Sequence, residues 1–294
     1  VDSIDHAPYG DATSVPGVVN RSPLAGRLAL DHTGARAAGL PPHGFDQRLF
    51  GGHLLGQVVL AAGARSPGDR VVESLHVYFL RPGKPDGRIE YSVRAVREGR
   101  TRNVLALSAE QNGRELLTGL VSLGPEGAGE PVPAEAPAVP DPDSLPTLAE
   151  RRARGLPEDG VRLPPLGDWR TASRPIDIRP VDGDPGGQRC LWFRTEPMPD
   201  ADAHLQRAAL VFASDRSLLP VIARARGERE PYRPTASVDH AMWFHTTPAA
   251  GRWYLYVQDC PAAGPGDGVA RGLIFDEDRR AVATVAQHGV VLPR

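Results

Sequence analysis

The chain repeats itself. HLLGQVVLAAGAR, starting at His53, aligns with HLQRAALVFASDR, starting at His204, and SLHVYFLRP around His76 aligns with VDHAMWFHT around His240. The closing segments also match, Thr118 in LLTGLVSL falling opposite Thr284 in VATVAQHG. Two copies of one supersecondary unit in a single chain restrict the fold to arrangements in which the copies meet about a pseudo-twofold axis.

Each copy reads as a helix followed by four strands. In the first, Gly51 and Gly52 mark a loop at a helix entrance, Leu54, Val58, Ala61 and Ala62 form an apolar helix face, and Ser66-Pro67 stops the helix. VVESLHVYFLRPG, IEYSVRAVREG, NVLALSAEQNG and LLTGLVSLG follow, rich in β-branched and aromatic residues and broken at Pro-Gly, Glu-Gly and Asn-Gly. In the second copy, one helix is expected from Asp200 to Pro220, with Asp200 or Asp202 as N-cap and Pro220 as its stop. Strands around Ile176–Arg179 and Arg189–Arg194 precede it, and SVDHAMWFHTTP, GRWYLYVQDC, GVARGLIFDED and AVATVAQHGVVL follow. The expected class is α+β, with two antiparallel sheets joined edge to edge and each helix packed across its own sheet.

The boundaries follow from composition. Residues 1–123 form an N-terminal unit with a polar lead-in and, at Leu24–Leu30, a short apolar segment suited to an edge strand. Residues 124–169 are Pro-rich and acidic, an extended surface linker without its own core, interrupted by a short helix in TLAERRARG. Residues 170–294 form the C-terminal unit.

The copies differ where chemistry is concerned. Asp215 falls on the apolar stripe of the second helix, and a buried carboxylate is costly unless paired or hydrogen-bonded, so it needs a partner elsewhere in the chain. A stabilising helix-to-loop bond and a functional role both satisfy that need. The first copy has Ala64 opposite Asp215, Glu73 opposite Ser237 and Val121 opposite Gln287, so polar function is placed in the C-terminal half. Gly51 and Gly52 point to close backbone approach to another element or to a ligand at a helix N-terminus. His53, next to them, is read as a structural histidine on residue type alone.

Several function classes are disfavoured. The net charge of −2, with no basic cluster, argues against nucleic-acid or anionic-membrane partners. Cys190 and Cys260 lack metal-ligand spacing and fit a reducing compartment. No apolar run approaches the roughly 20 residues that span a bilayer, and VDSIDHAPYG has no signal-peptide pattern, so a cytoplasmic protein is expected. There is no GxSxG, and GPGDGVARG is no dinucleotide fingerprint. His240 and His245 lie five apart, on opposite faces of a strand, which spoils a metal pair. Asp239 and His240, as adjacent strand residues, face opposite ways, which argues for a structural Asp239. The tryptophans at 192, 243 and 253 and Phe244 read as packing residues.

FGGHLLGQVV, LHVYFLRPG, the ASD of the second helix, SVDHAMWFH and VATVAQHG resemble, in that order, the motifs of the TesB-like acyl-CoA thioesterase II family. The resemblance runs from about Leu24 to the C-terminus apart from the Pro-rich segment. It implies a double hotdog, acyl-CoA or acyl-carrier-protein thioester substrates, no metal or other cofactor, and a hydrolytic water held by an Asp, a Thr or Ser and a Gln. These correspond to Asp215, Ser237 and Gln287. Gly51, Gly52 and His53 occupy the substrate-facing helix entrance. The sequence departs from the family pattern with Ser at 237 for Thr, His53 where GGQ is the usual form, and His288 where Glu is common. A homo-oligomer built through the hotdog sheets is compatible with the repeat.

Thioester chemistry accounts for those residue types. The carbonyl is electrophilic and the leaving thiolate has a pKa near that of a free thiol, about 8.5, so neither a covalent nucleophile nor a strong general acid is obligatory. One oriented water suffices: a carboxylate takes its proton while a hydroxyl and an amide fix its direction. Two alternatives stay open: a pathway enzyme of the same fold that releases or dehydrates a carrier-bound acyl chain, and a non-hydrolytic acyl-thioester binding protein.

Overall fold

The computed structural model describes residues 22–33, 36–39, 49–84, 87–127, 134–157, 175–228 and 234–292. The N-terminal unit contains α1 (Pro23–Leu28), β1 (Leu30–Thr33), β2 (Arg36–Gly39), α2 (Gly51–Gly63), β3 (Arg70–Phe79), β4 (Ile89–Glu98), β5 (Asn103–Gln111) and β6 (Arg114–Pro125). After α3 (Leu148–Ala153) come β7 (Asp177–Pro180), β8 (Arg189–Arg194), α4 (Ala203–Ser214), α5 (Pro220–Ala225), β9 (Thr235–Ser237), β10 (Asp239–Phe244), β11 (Tyr254–Ala263), β12 (Asp267–Phe275) and β13 (Ala281–Val291). The lead-in before Ser22 and linker residues 128–133 and 158–169 lie outside the described residues.

All strands join one antiparallel sheet ordered β1-β2-β4-β5-β6-β3-β10-β13-β12-β11-β8-β7, with β9 added on β13. Read outward from the β3–β10 junction, the two halves run through equivalent strands, so the sequence repeat is a spatial one. The junction pairs His76 with Ala241 and Val77 with His240. Such pairing buries two strand edges that would otherwise stay open to association.

Inside the curved sheet, α2 and α4 lie antiparallel and in close contact. A Cβ at Gly56 would fall 3.2 Å from the Ala208 carbonyl oxygen, one at Gly63 would fall 2.6 Å from His204, and one at Gly52 would strike the Phe212 carbonyl. Small residues on α2 therefore set how near the helix axes come. Burial runs all round α2 because α4 covers one side and β3, β4 and β5 the other. Each helix thus packs on its counterpart as well as on the sheet, and α4 reaches β3 of the opposite half.

Two expected elements differ. Leu24–Leu28 is helical, because Ser22 caps Ala25 N–H, Pro23 suits the first turn, and Leu24 and Leu28 share the buried face; only Leu30 opens a strand. The second helix is not continuous to Pro220. It starts behind Asp202, whose side chain accepts from Leu205 N–H, and ends at Ser214, while Pro220 begins α5 and stops nothing.

The Pro-rich segment is also more than a linker without a core. Ala134, Ala136, Val139 and Leu145 pack on a second apolar cluster, formed by Cys190, Trp192, Trp253, Leu255, Val257 and Phe275 on the outer face of the C-terminal half. Trp192 Nε1–H donates to the Pro140 carbonyl at 2.9 Å, Arg279 to that of Pro137 at 2.7 Å and Arg179 to that of Leu145 at 2.7 Å. Proline supplies free carbonyls and no competing N–H, so a Pro-rich strap can dock through acceptors alone.

Candidate active site

Asp215 is the C-cap of α4, the position Ala64 holds on α2. Its side chain is 6% exposed. Because the helices are antiparallel, the end of α4 meets the start of α2: a Cβ on Gly51 would lie 2.7 Å from Asp215 Oδ2. Glycine there lets the carboxylate approach the N-terminal turn of α2, where the helix dipole favours negative charge.

Gln287 projects inward from β13 and is buried. Its Nε2 donates to Asp215 Oδ1 at 2.7 Å and to Ser237 Oγ at 2.8 Å. A carboxylate only accepts, so the amide nitrogen must face it, and both Nε2 hydrogens are thereby used. Ser237, on β9 beside β13, accepts from Gln287 and keeps its own hydrogen for donation. Gln287 Oε1 is a buried acceptor without a hydrogen bond among the described residues. Asp215, Ser237 and Gln287 are thus brought together, and Gly51 sits against them.

Gly52 and His53 occupy the same first turn of α2. His53 is fully buried. Asp239 and His240 do face opposite ways. Asp239 meets His76 Nε2 at 3.2 Å and the His288 N–H at 2.7 Å on the outer side. His240 is fully enclosed, and burial drives its pKa down to about 3, so it is neutral at physiological pH.

Sequence reasoning passed over the company Asp215 keeps on its inner side. His240 Nδ1 lies 3.7 Å from Asp215 Oδ1, and its Nε2 lies 3.2 Å from Ser214 Oγ. Tyr256 reaches the Ser214 carbonyl at 3.4 Å, and its pKa is raised well above the phenolic value, first by burial and then by the Asp215 charge. Buried Arg189 donates to the Ser217 carbonyl at 2.6 Å and to Gln258. The Asp-His sequence did mark His240, but a strand neighbour cannot reveal a helix cap across the core.

One continuous antiparallel sheet around two antiparallel helices is the double-hotdog fold, and a carboxylate, an amide and a hydroxyl meet at its helix ends. The sequence matches the acyl-CoA thioesterase N-terminal domain over residues 41–124 and the acyl-CoA thioesterase C-terminal domain over residues 133–291. Acyl-CoA thioesterase 2 of Haemophilus influenzae is 29% identical over 260 residues, covering 84% of this chain and 88% of that protein. Human acyl-coenzyme A thioesterase 8 is 30% identical over 262 residues, covering 83% and 81%. Among solved structures, the acyl-CoA thioesterase II TesB2 of Mycobacterium marinum superimposes with a TM-score of 0.74 at 28% identity, covering 92% of this chain and 97% of that one. The chain belongs to the TesB-like acyl-CoA thioesterase II family. Among the described residues no group of His, Cys, Asp and Glu is placed to hold a metal ion, and no helix is long and apolar enough to cross a membrane.

Proposed function

We propose that the protein hydrolyses acyl-CoA with a water activated by Asp215 and oriented by Ser237 and Gln287. The observation that carries this reading is the double donation from Gln287 Nε2, which ties the carboxylate and the hydroxyl to one point. Asp215 takes a proton from water as the water oxygen bonds to the thioester carbonyl carbon. N–H groups in the first turn of α2, at Gly51 and Gly52, face the developing oxyanion, and His53 belongs to the acyl-facing side of that turn. Collapse breaks the carbon–sulfur bond, and the Asp215 proton passes to the departing thiolate, giving free acid and CoA. The C-terminal unit, 170–294, supplies all three side chains, and the N-terminal unit, 1–123, supplies the helix entrance. Two free cysteines fit a cytosolic setting.

Thiol release from short, medium, long and aromatic acyl-CoAs, without added metal, tests the reading. At least one substrate should turn over. An inert panel, with an acylated carrier protein inert as well, would leave an acyl-thioester binding protein as the better description.

The same reading includes a homo-oligomer. Tyr78, Leu120, Trp243 and Val269 stand on the outer sheet face near the β3–β10 junction and are 41–50% exposed. Such a patch is suited to a matching face of a second copy. Light scattering should find an assembly heavier than the 31.5 kDa chain, and Trp243→Glu should reduce it to the monomer without unfolding it. A monomeric wild type would remove this part.

A further inference from the structure

His240 is enclosed on every side and has no contact with solvent, yet one ring nitrogen faces the carboxylate assigned above as the base. Which nitrogen carries the hydrogen follows from the neighbours. Asp215 can only accept, and a ring lone pair turned toward it in a water-free interior would set two electron-rich atoms face to face. The hydrogen therefore belongs on Nδ1, which makes no hydrogen bond among the described residues and lies 3.7 Å from Asp215 Oδ1, beyond hydrogen-bonding distance, so its N–H acts on the carboxylate as a dipole. Nε2 is then an acceptor, and the Ser214 hydroxyl at 3.2 Å can donate to it by turning from the Val211 carbonyl, which lies 2.9 Å away. Gln287 Nε2 approaches the same Asp215 oxygen at 2.7 Å.

We propose that His240 is a positioning residue for the reaction. As a neutral imidazole whose Nδ1–H dipole points at Asp215 and whose Nε2 is backed by Ser214, it favours the ionised carboxylate and keeps it aimed beneath the α2 entrance. Ser214, His240 and Asp215 follow one another like a nucleophilic triad, but Ser214 is fully buried and its oxygen serves the imidazole, not the substrate. The inference rests on Asp215 being the base.

Four other charged or titratable groups act on the pair or its immediate neighbours. They are Asp239 on β10, His76 on β3, Tyr256 on β11 and Arg189 on β8. Asp239 and His76 are bound to each other on the outer side. They remain in place when His240 is changed.

The test uses the intact chain. In wild-type protein, nitrogen-15 spectra of the imidazole should show the Nδ1–H tautomer, and an Nε2–H tautomer would overturn the proposal without any variant. His240→Leu removes the donor, and its loss in kcat/KM should be roughly tenfold greater at pH 5.5 than at pH 8.5, because the carboxylate now takes up its proton at higher pH. His240→Asn, whose amide nitrogen replaces Nδ1, should restore the acid side of the profile. A residue that only fills space would lower kcat/KM by one factor at all pH values, and that result would overturn the proposal. Should His240→Leu fail to fold, the tautomer still decides, and His240→Phe, which fills the site without a donor, takes its place in the pH profile. Carbon-13 titration of the Asp215 carboxyl in wild type and His240→Leu reads the coupling directly, with a higher carboxyl pKa expected in the variant and an unchanged one overturning the proposal. It separates failure of this inference from failure of Asp215 as base, which the activity of an Asp215 variant reports.

Discussion

Asp215→Asn should lower turnover by about 10² to 10⁴-fold while leaving the fold intact. The exchange keeps shape and one acceptor, but it removes the basic oxygen pair, and loss of a positioned general base typically costs that much. Asparagine can still receive Gln287 Nε2–H through its carbonyl oxygen, so the 2.7 Å contact and the α4 cap survive. Ser237→Ala and Gln287→Ala should each cost less, since they orient water and do not take its proton. All three act on one water, so combining either with Asp215→Asn should add little to the single loss. Turnover and thermal midpoint measured on the same preparation separate this from a stabilising role. A shifted midpoint with near-wild-type turnover would remove Asp215 from the mechanism.

Trp192→Ala should be the largest stability loss from a single side chain outside the site, about 3–5 kcal/mol. The residue is 2% exposed between the outer sheet face and the Pro-rich strap, with Arg279 5.3 Å from its ring centroid, and it gives its one polar side-chain hydrogen to the Pro140 carbonyl. Truncation leaves a cavity, an unpaired carbonyl and a loosened strap at once. Denaturant unfolding should show the loss, and proteolysis between residues 134 and 145 should become faster. Turnover per folded molecule should hold, because Trp192 points away from the helix pair. A change below about 1 kcal/mol would mean the strap contributes no net stability.

Between the two predictions lies the difference between what is local and what is not. The repeat, the alternating strands, the helices at His53 and His204, and the order of motifs are properties of short windows. Periodicity records which face of an element is buried, and the chain carries that record twice. The motifs also singled out Asp215, Ser237 and Gln287, which the fold brings within hydrogen-bonding distance through Gln287. Windows did less well at element ends. Ser22-Pro23 turned an apolar run into α1, and the second helix broke at Asp215, because capping and tertiary packing outweigh apolar spacing in a single turn. Composition made residues 124–169 a linker. Free proline carbonyls and a tryptophan from a later strand made their described part a strap.

What only the tertiary structure decided is the set of contacts between distant residues. Asp215 and Gln287 lie 72 positions apart. Gly51 meets Asp215 only because α2 and α4 run antiparallel, and His240 meets it only because β10 passes under the end of α4. No periodicity encodes these distances. Each depends on how closely the glycines of α2 let α4 approach and on the register of the β3–β10 junction, and packing of the whole core fixes both.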